Sequence, residues 1–492
     1  MGLAAELEAS LREFAAAGPV EVRENGGRVA PLSGLSWEVR GNGEKPLLHI
    51  WSEQYNLTRR ILGITDHSEE RLALAVERFG RSKPDRLEFV RMEFERSARE
   101  LARGEFCERL RRILAAQFPD DALDSLSMSA DLEHSLSGSY ARGLFQRGSS
   151  YTPFLAVPDG ESADTVRNSL AFGLLWLDRA RQLSRRGTIA GLRLILPQNT
   201  SNGIAQLLAA VDSSIPIQLW ELDAKLETLR SVDPGAATNL DLRIVPHRES
   251  EALLLQARPM LARITAQALH AITLHPSTET REVFLRFRGL PFARWHQGRI
   301  FLETAESREE IHSPDQPALK ELLHDLDLHR HPLAANTRHA LYRGRPERWL
   351  EALVCQDITR IDSALDPRFV YAQIFARAGN EQGILDVLGV TRSGRLAILE
   401  LKATESLHLP LQAADYWLRI RRHLELGDLP RYGYFNGIGL QSAPPIVYLV
   451  APALRFHPST DTLLRYLTRE MEVVRVGVAE SWRRGLRVVL RH

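Results

Sequence analysis

Two carboxylates stand where the hydrophobic pattern has no place for charge. Asp386 interrupts Ile384-Leu385 and Val387-Leu388, and Glu400 interrupts Ile398-Leu399 and Leu401. An ionised carboxylate in a buried strand is costly unless it is paired or coordinates a cation. Period-two alternation sets Glu400 and Lys402 on one side of their strand, with Leu399 and Leu401 on the other. The short turn between the two strands lets Asp386 and Glu400 lie across from each other. Two carboxylates at close range repel until a divalent cation neutralises them. Hard oxygen ligands suit magnesium or manganese, which keep waters and phosphate oxygens as their remaining ligands. A metal so placed activates water and stabilises a phosphoryl centre under attack. Lys402, a compact point charge, suits the orientation of that water or the steadying of the transition state. It is also the only lysine after Lys320 in a chain that otherwise prefers arginine.

These groups need elements to hold them. Pro346 suits the first position of a helix, whose apolar stripe runs Trp349, Leu350, Leu353, Val354, Ile358 and Ile361. Strands are predicted over Phe369 to Phe375, Gly383 to Val390 and Arg395 to Lys402, with a turn at Thr391-Arg392-Ser393-Gly394. A long helix from Pro410 to about Glu425 follows, then the apolar strand Ile446 to Val450 and short strands near Val473 to Val478 and Leu486 to Leu490. On the long helix Gln412, Tyr416, Arg419 and His423 fall at i, i+4, i+7 and i+11. Such a face leads from the proposed metal site into basic groups and would serve as a nucleic-acid phosphate track; its plain alternative is a polar helix face.

The segment resembles the PD-(D/E)xK nucleases, and among them the RecB-like branch. The likeness rests on Gly383-Ile-Leu-Asp386 as the G-x-x-D strand, Glu400-Leu401-Lys402 as the E-x-K strand, and Gln412-Ala-Ala-Asp-Tyr416 as the Q-x-x-x-Y helix. It covers about residues 340 to 455. The resemblance implies Glu351, Asp386 and Glu400 as metal ligands with the carbonyl of Leu401 as another, Lys402 as the catalytic lysine, and Gln412 and Tyr416 on the substrate side. Glu347 lies one turn before Glu351 on the same side of its helix. It also implies Mg2+ or Mn2+ as cofactor and nucleic acid as partner, DNA being favoured because most relatives act on it.

With 492 residues the chain is long enough for two to four domains. Its 44% hydrophobic and 25% charged residues belong to a protein that buries sizeable cores, which excludes a disordered chain. Two cysteines, Cys107 and Cys355, offer no CxxC pair, zinc knuckle or redox motif, and a cytoplasmic setting fits. Neither a leader-like N-terminus nor a run of about 18 apolar residues occurs, so no membrane partner is expected. Net charge is +1, but residues 336–492 hold 22 Arg plus Lys against 16 Asp plus Glu, a bias suited to a segment that meets phosphates.

The expected fold is mixed α/β and multidomain: a C-terminal restriction-endonuclease-like αβββαβ core preceded by one or two α/β domains. Four segments are read along the chain. Residues 1–135 form an α/β domain with strands Leu35 to Arg40 and Leu47 to Trp51 and a helix from Glu93 to Phe118. Residues 136–275 contain a crossover unit: a helix near Asn168 to Leu183, the strand Leu192 to Leu196, a helix near Ile204 to Val211 and the strand Pro216 to Leu222. After its first strand Gln198-Asn199-Thr200-Ser201-Asn202-Gly203 lacks both nucleotide-binding fingerprints. Residues 276–335 hold a hairpin, Arg281 to Leu302, with an Arg and aromatic face, and a polar stretch with His312, His324, Asp325, Asp327, His329 and His331 that reads as a solvated linker. Residues 336–492 form the nuclease domain. The sequence shows no internal repeat. The upstream domains are expected to select a substrate or protein partner, or to pair two copies of the chain. The rival to the nuclease is a non-enzymatic nucleic-acid-binding or scaffolding protein that retains the fold.

Overall fold

A computed structural model describes residues 3–41, 45–51, 56–77, 84–183, 187–235, 242–268, 270–303, 308–378 and 381–492. The fold is mixed α/β, with eleven α-helices and four multi-stranded sheets among the described residues. Its contacts group into two compact units, each assembled from two stretches of sequence: Met1–Leu101 with Glu249–Ala352, and Ala102–Arg248 with Leu353–His492.

The first unit is built from antiparallel meanders under helices. Helix Leu3–Ala16 buries Leu7, Leu11 and Phe14, one face at i, i+4 and i+7, on a seven-stranded sheet whose inward residues include Val22, Leu48, Ile50, Leu74 and Phe89. A five-stranded meander from Ile272–Ser277 to Arg308–Ile311 buries Val283, Leu285, Phe287 and Trp295 in the same way. The polar stretch expected to be a solvated linker is in fact ordered. Helix Pro317–His329 starts on its proline and buries Leu319, Leu323 and Leu326, so its histidines ride on the outer face of an amphipathic helix. The expected Arg and aromatic face is satisfied internally. Arg294 bonds Glu282 at 2.5 Å, Arg288 donates to the Arg330 carbonyl at 2.8 Å, and Arg286 lies 3.7 Å from Glu351.

The second unit holds two sheets over one continuous core. Its first lobe comprises β1 (Ala122–Ser127), β2 (Ala141–Arg147), β3 (Ser150–Ala156), α1 (Ala163–Leu183), β4 (Leu192–Pro197), α2 (Asn202–Leu207), β5 (Ile217–Asp223) and β6 (Thr228–Val232). Its second lobe comprises β7 (Leu365–Ala378), β8 (Glu381–Thr391), β9 (Leu396–Leu401), α3 (Leu409–Glu425), β10 (Ile446–Pro452), α4 (Thr460–Leu464), β11 (Val473–Val478) and β12 (Val488–Arg491). The crossover unit and the strand meander expected from the sequence both form. The central strands β9 and β10 are buried along their whole length, as strands covered on both faces must be. Helix α3 is fixed by Trp417, fully buried with its indole N–H donating to the Pro445 carbonyl at 3.0 Å. Burial of that ring contributes about 4 kcal/mol.

The two lobes are the same fold twice, a repeat the sequence conceals. In each, strands pair in chain order, with the first three antiparallel, the third to fifth parallel and the sixth antiparallel. The agreement extends to single bonds. Leu192 N–H donates to the Pro216 carbonyl at 2.9 Å, and Val447 N–H to that of Glu472 at 2.9 Å. β4 and β10 both end on proline, Pro197 and Pro452. Where the lobes meet, the segments after α2 and α4 form an antiparallel bridge at Val211 and Leu467. Asp212 N–H donates to the Tyr466 carbonyl at 2.9 Å and Thr468 N–H to that of Ala210 at 2.8 Å. Equivalent residues thus bond one another reciprocally, the signature of a twofold interface.

Candidate active site

The ladder between β8 and β9 pairs Val390 with Leu396 and runs to Val387 opposite Leu399. Continuing that register by one residue sets Asp386 opposite Glu400 on the same face of the sheet. There the strands part, and Asp386 Oδ2 accepts the Leu401 N–H at 3.0 Å in place of a backbone rung. In an extended strand the N–H and C=O of one residue point the same way, so the Leu401 carbonyl also faces the Asp386 side. On the other edge of β9 the Lys402 N–H donates to the Val450 carbonyl at 2.9 Å, which pins the strand end to β10.

Asp386 is buried and Glu400 is fully buried, while Lys402 keeps about a fifth of its side chain exposed with its Nζ 3.3 Å from Glu400 Oε1. Two carboxylates are thus buried close to one ammonium. The donors are all oxygen, two carboxylates and a carbonyl, a set that fits magnesium or manganese with phosphate or water completing the shell.

Glu351 is placed in the other compact unit, buried, with Arg348 and Arg286 as partners. Among the described residues no three Asp, Glu, His or Cys side chains converge into a metal site. The carboxylates brought together are therefore Asp386 and Glu400.

Helix α3 covers the pair. Tyr416 is buried, bonded to Gln412, and its hydroxyl pKa is pushed up by burial and by the negative charge of Glu400. Arg419 is buried with Asp415 at 2.7 Å. His423 departs from the expected phosphate track. It is 1% exposed, its Nδ1 meets Asp428 Oδ2 at 2.8 Å, and it is not among the cleft-lining residues. The part of the face that lines a cleft carries Gln412, Tyr416 and Arg419.

That face and Lys402 form one side of a cleft of about 1030 Å³ whose opposite side belongs to the first lobe, through Asn168 on α1 and the segment Asn199 to Gln206. Sequence reasoning passed over these amides, having tested the segment only for phosphate loops. Their position held a signal, since ligands of parallel sheets gather beyond the carboxyl ends of the strands, and Asn199 follows β4 as Lys402 follows β9.

His408 also lines the cleft, stacked edge-on against Phe172. Burial, and then the charge of His457, depress its pKa to about 4. A histidine lowered below its unfolded value of about 6.5 adds stability fully present above pH 6.5 and lost as pH falls toward 4. Urea unfolding at pH 7 and pH 4.5 should show wild type losing up to about 2 kcal/mol more than His408→Gln; equal losses would rule out this contribution.

Compared with known protein families and with curated proteins, the sequence matches none. Among the described residues no helix is long and apolar enough to cross a membrane.

Proposed function

We propose that the protein is a divalent-cation-dependent nuclease that hydrolyses phosphodiester bonds, with its centre at Asp386, Glu400 and Lys402. The observation that carries this reading is the placement of Asp386 and Glu400 side by side where β8 and β9 part, with Lys402 bonded to Glu400 at the mouth of a cleft. Asp386, Glu400 and the Leu401 carbonyl would hold Mg2+ or Mn2+. The bound ion would supply Lewis acidity and ease the deprotonation of water beside the scissile phosphate.

The chain's own groups do the rest. Leu401 N–H fixes the Asp386 carboxylate, so its oxygens are oriented before substrate arrives. Lys402 reaches from the carboxylates into the cleft, where its ammonium meets the negative charge that builds on the phosphoryl oxygens during attack. Gln412 holds Tyr416 against Glu400 and closes that side to bulk water. The family likeness favours DNA over RNA, and Cys107 and Cys355, which form no disulfide, fit a cytoplasmic setting. The unit Met1–Leu101 with Glu249–Ala352 is assigned to selecting substrate or partner.

Metal dependence tests the reading. Single-stranded and duplex oligonucleotides incubated with protein and magnesium or manganese should be cut, and excess chelator should lower the rate at least about 10³-fold. Cleavage undiminished by chelator would refute it. Magnesium should also raise the melting temperature of wild type, since a ligand that binds only the folded state stabilises it.

A further inference from the structure

We propose that the first lobe is a copy of the catalytic lobe that has lost its acids and become a substrate-holding wall, leaving one centre that faces a cleft suited to a single nucleic-acid strand. The inference rests on the nuclease reading of the second lobe and adds its substrate class.

The sheet registers identify the equivalent positions. Leu155 pairs with Leu194 three residues before Pro197, and Glu400 pairs with Leu449 three residues before Pro452. Val157 N–H donates to the Ile195 carbonyl at 2.9 Å, as Lys402 N–H does to Val450. Leu155 therefore stands in the place of Glu400, and Val157 in that of Lys402. Across the hairpin Leu155 faces Arg142, which takes the place of Asp386. Arg142 is buried, donates to the Ser129 carbonyl at 2.6 Å and lies over the Trp176 ring. A guanidinium, a leucine and a valine hold no divalent cation; the guanidinium repels one.

The decayed lobe still closes the cleft. Opposite Lys402 it presents Asn168, Asn199, Thr200, Asn202 and Gln206, all neutral groups that both donate and accept. Asn199 holds a left-handed backbone, φ +62°, a conformation that asparagine tolerates where most residues do not. The cations in the lining are paired, Arg419 with Asp415, Arg167 with Asp164 at 2.8 Å and Lys402 with Glu400, and Glu161 adds a carboxylate. A surface that tracks duplex relies on many cations against phosphate. Amides instead match the edges of bases, which an unpaired strand exposes in full. Size agrees. About 1030 Å³ lies at the top of the ~300–1,000 Å³ range that encloses a drug-sized molecule. That is room for a few unpaired nucleotides.

Fluorescence anisotropy of the full chain in chelator, with labelled ten-nucleotide DNA, RNA of the same sequence and the matching DNA duplex, tests the cleft without turnover. Single strands, of one sugar type or both, should bind at least about 10-fold tighter than duplex. Asn199→Gly/Asn202→Ala, which keeps the backbone freedom at 199, should lose about 10-fold of that affinity with an unchanged circular dichroism spectrum. Duplex bound as tightly as single strand, or a double variant that binds like wild type, overturns the proposal. Cleavage assays in magnesium separate the two readings. Cutting of duplex and single strand at equal rates leaves the nuclease and removes the cleft assignment. Tight single-strand binding without cutting removes the nuclease and supports the wall.

Discussion

Lys402→Ala should abolish cleavage, by at least about 10³-fold in kcat, and should destabilise the protein in the absence of metal. The rate effect follows from the loss of the ammonium beside Glu400, a group whose charge is needed as the phosphoryl oxygens become more negative. The stability effect follows from burial. Glu400 is 0% exposed, so removing Lys402 takes an ionic partner from a carboxylate that water does not reach, at a cost of about 3 kcal/mol. Glu400→Ala should be equally inactive yet gentler, because the released Lys402 ammonium can turn into the cleft. Magnesium should restore the melting temperature of Lys402→Ala, whose metal ligands are intact, and should leave that of Glu400→Ala unmoved. Melting curves with and without magnesium, beside single-turnover rates, decide it. Equal melting losses in the two variants, with residual cutting in both, would reduce the two residues to a structural ion pair.

Gly394→Ala should cost at least about 2 kcal/mol and take activity with it. Gly394 turns β8 into β9 with φ +92°, a left-handed conformation that costs an L-residue about 1–2 kcal/mol. A Cβ there would lie 2.1 Å from the Gly439 carbonyl oxygen, backbone that has little freedom to retreat because Gln441 N–H is bonded to the Gly394 carbonyl at 2.8 Å. The turn also sets the hairpin register. A slip of one residue would carry Asp386 to the opposite face from Glu400. Both the melting temperature and the cleavage rate should fall. A variant that melts like wild type would show that the turn does not fix the pair.

The second lobe was legible in the sequence because its charged residues break local patterns. Asp386 and Glu400 are exceptions inside apolar strands, and alternation with the short turn at Thr391 to Gly394 was enough to pair them. Helix α3 and strand β10 announced themselves by Pro410 and by an unbroken apolar run. His423 was misplaced because helical spacing describes a face without saying where a neighbour covers it; the buried partner Asp428 lies beyond the helix. The helix Pro317–His329 was hidden by its polar outer face, although Leu319, Leu323 and Leu326 carry its period. The repeat escaped for a different reason. Positions that correspond, such as Leu155 and Glu400 or Val157 and Lys402, share a backbone role and no side-chain chemistry, and only hydrogen-bond register aligns them. Nor do units made from separated stretches show in a reading that proceeds residue by residue.

The reciprocal bridge at Val211 and Leu467 has the form of a dimer contact, but its two halves are on one chain. A true dimer comes apart on dilution and must keep both protomers' genes identical. Tethering replaces that bimolecular equilibrium with an effective concentration that, for short flexible links, reaches the millimolar range, however dilute the protein. Each half is then free to change without altering the other, which is how Arg142 could come to stand at a position whose counterpart is Asp386. The seam keeps a damaged copy permanently beside an intact one.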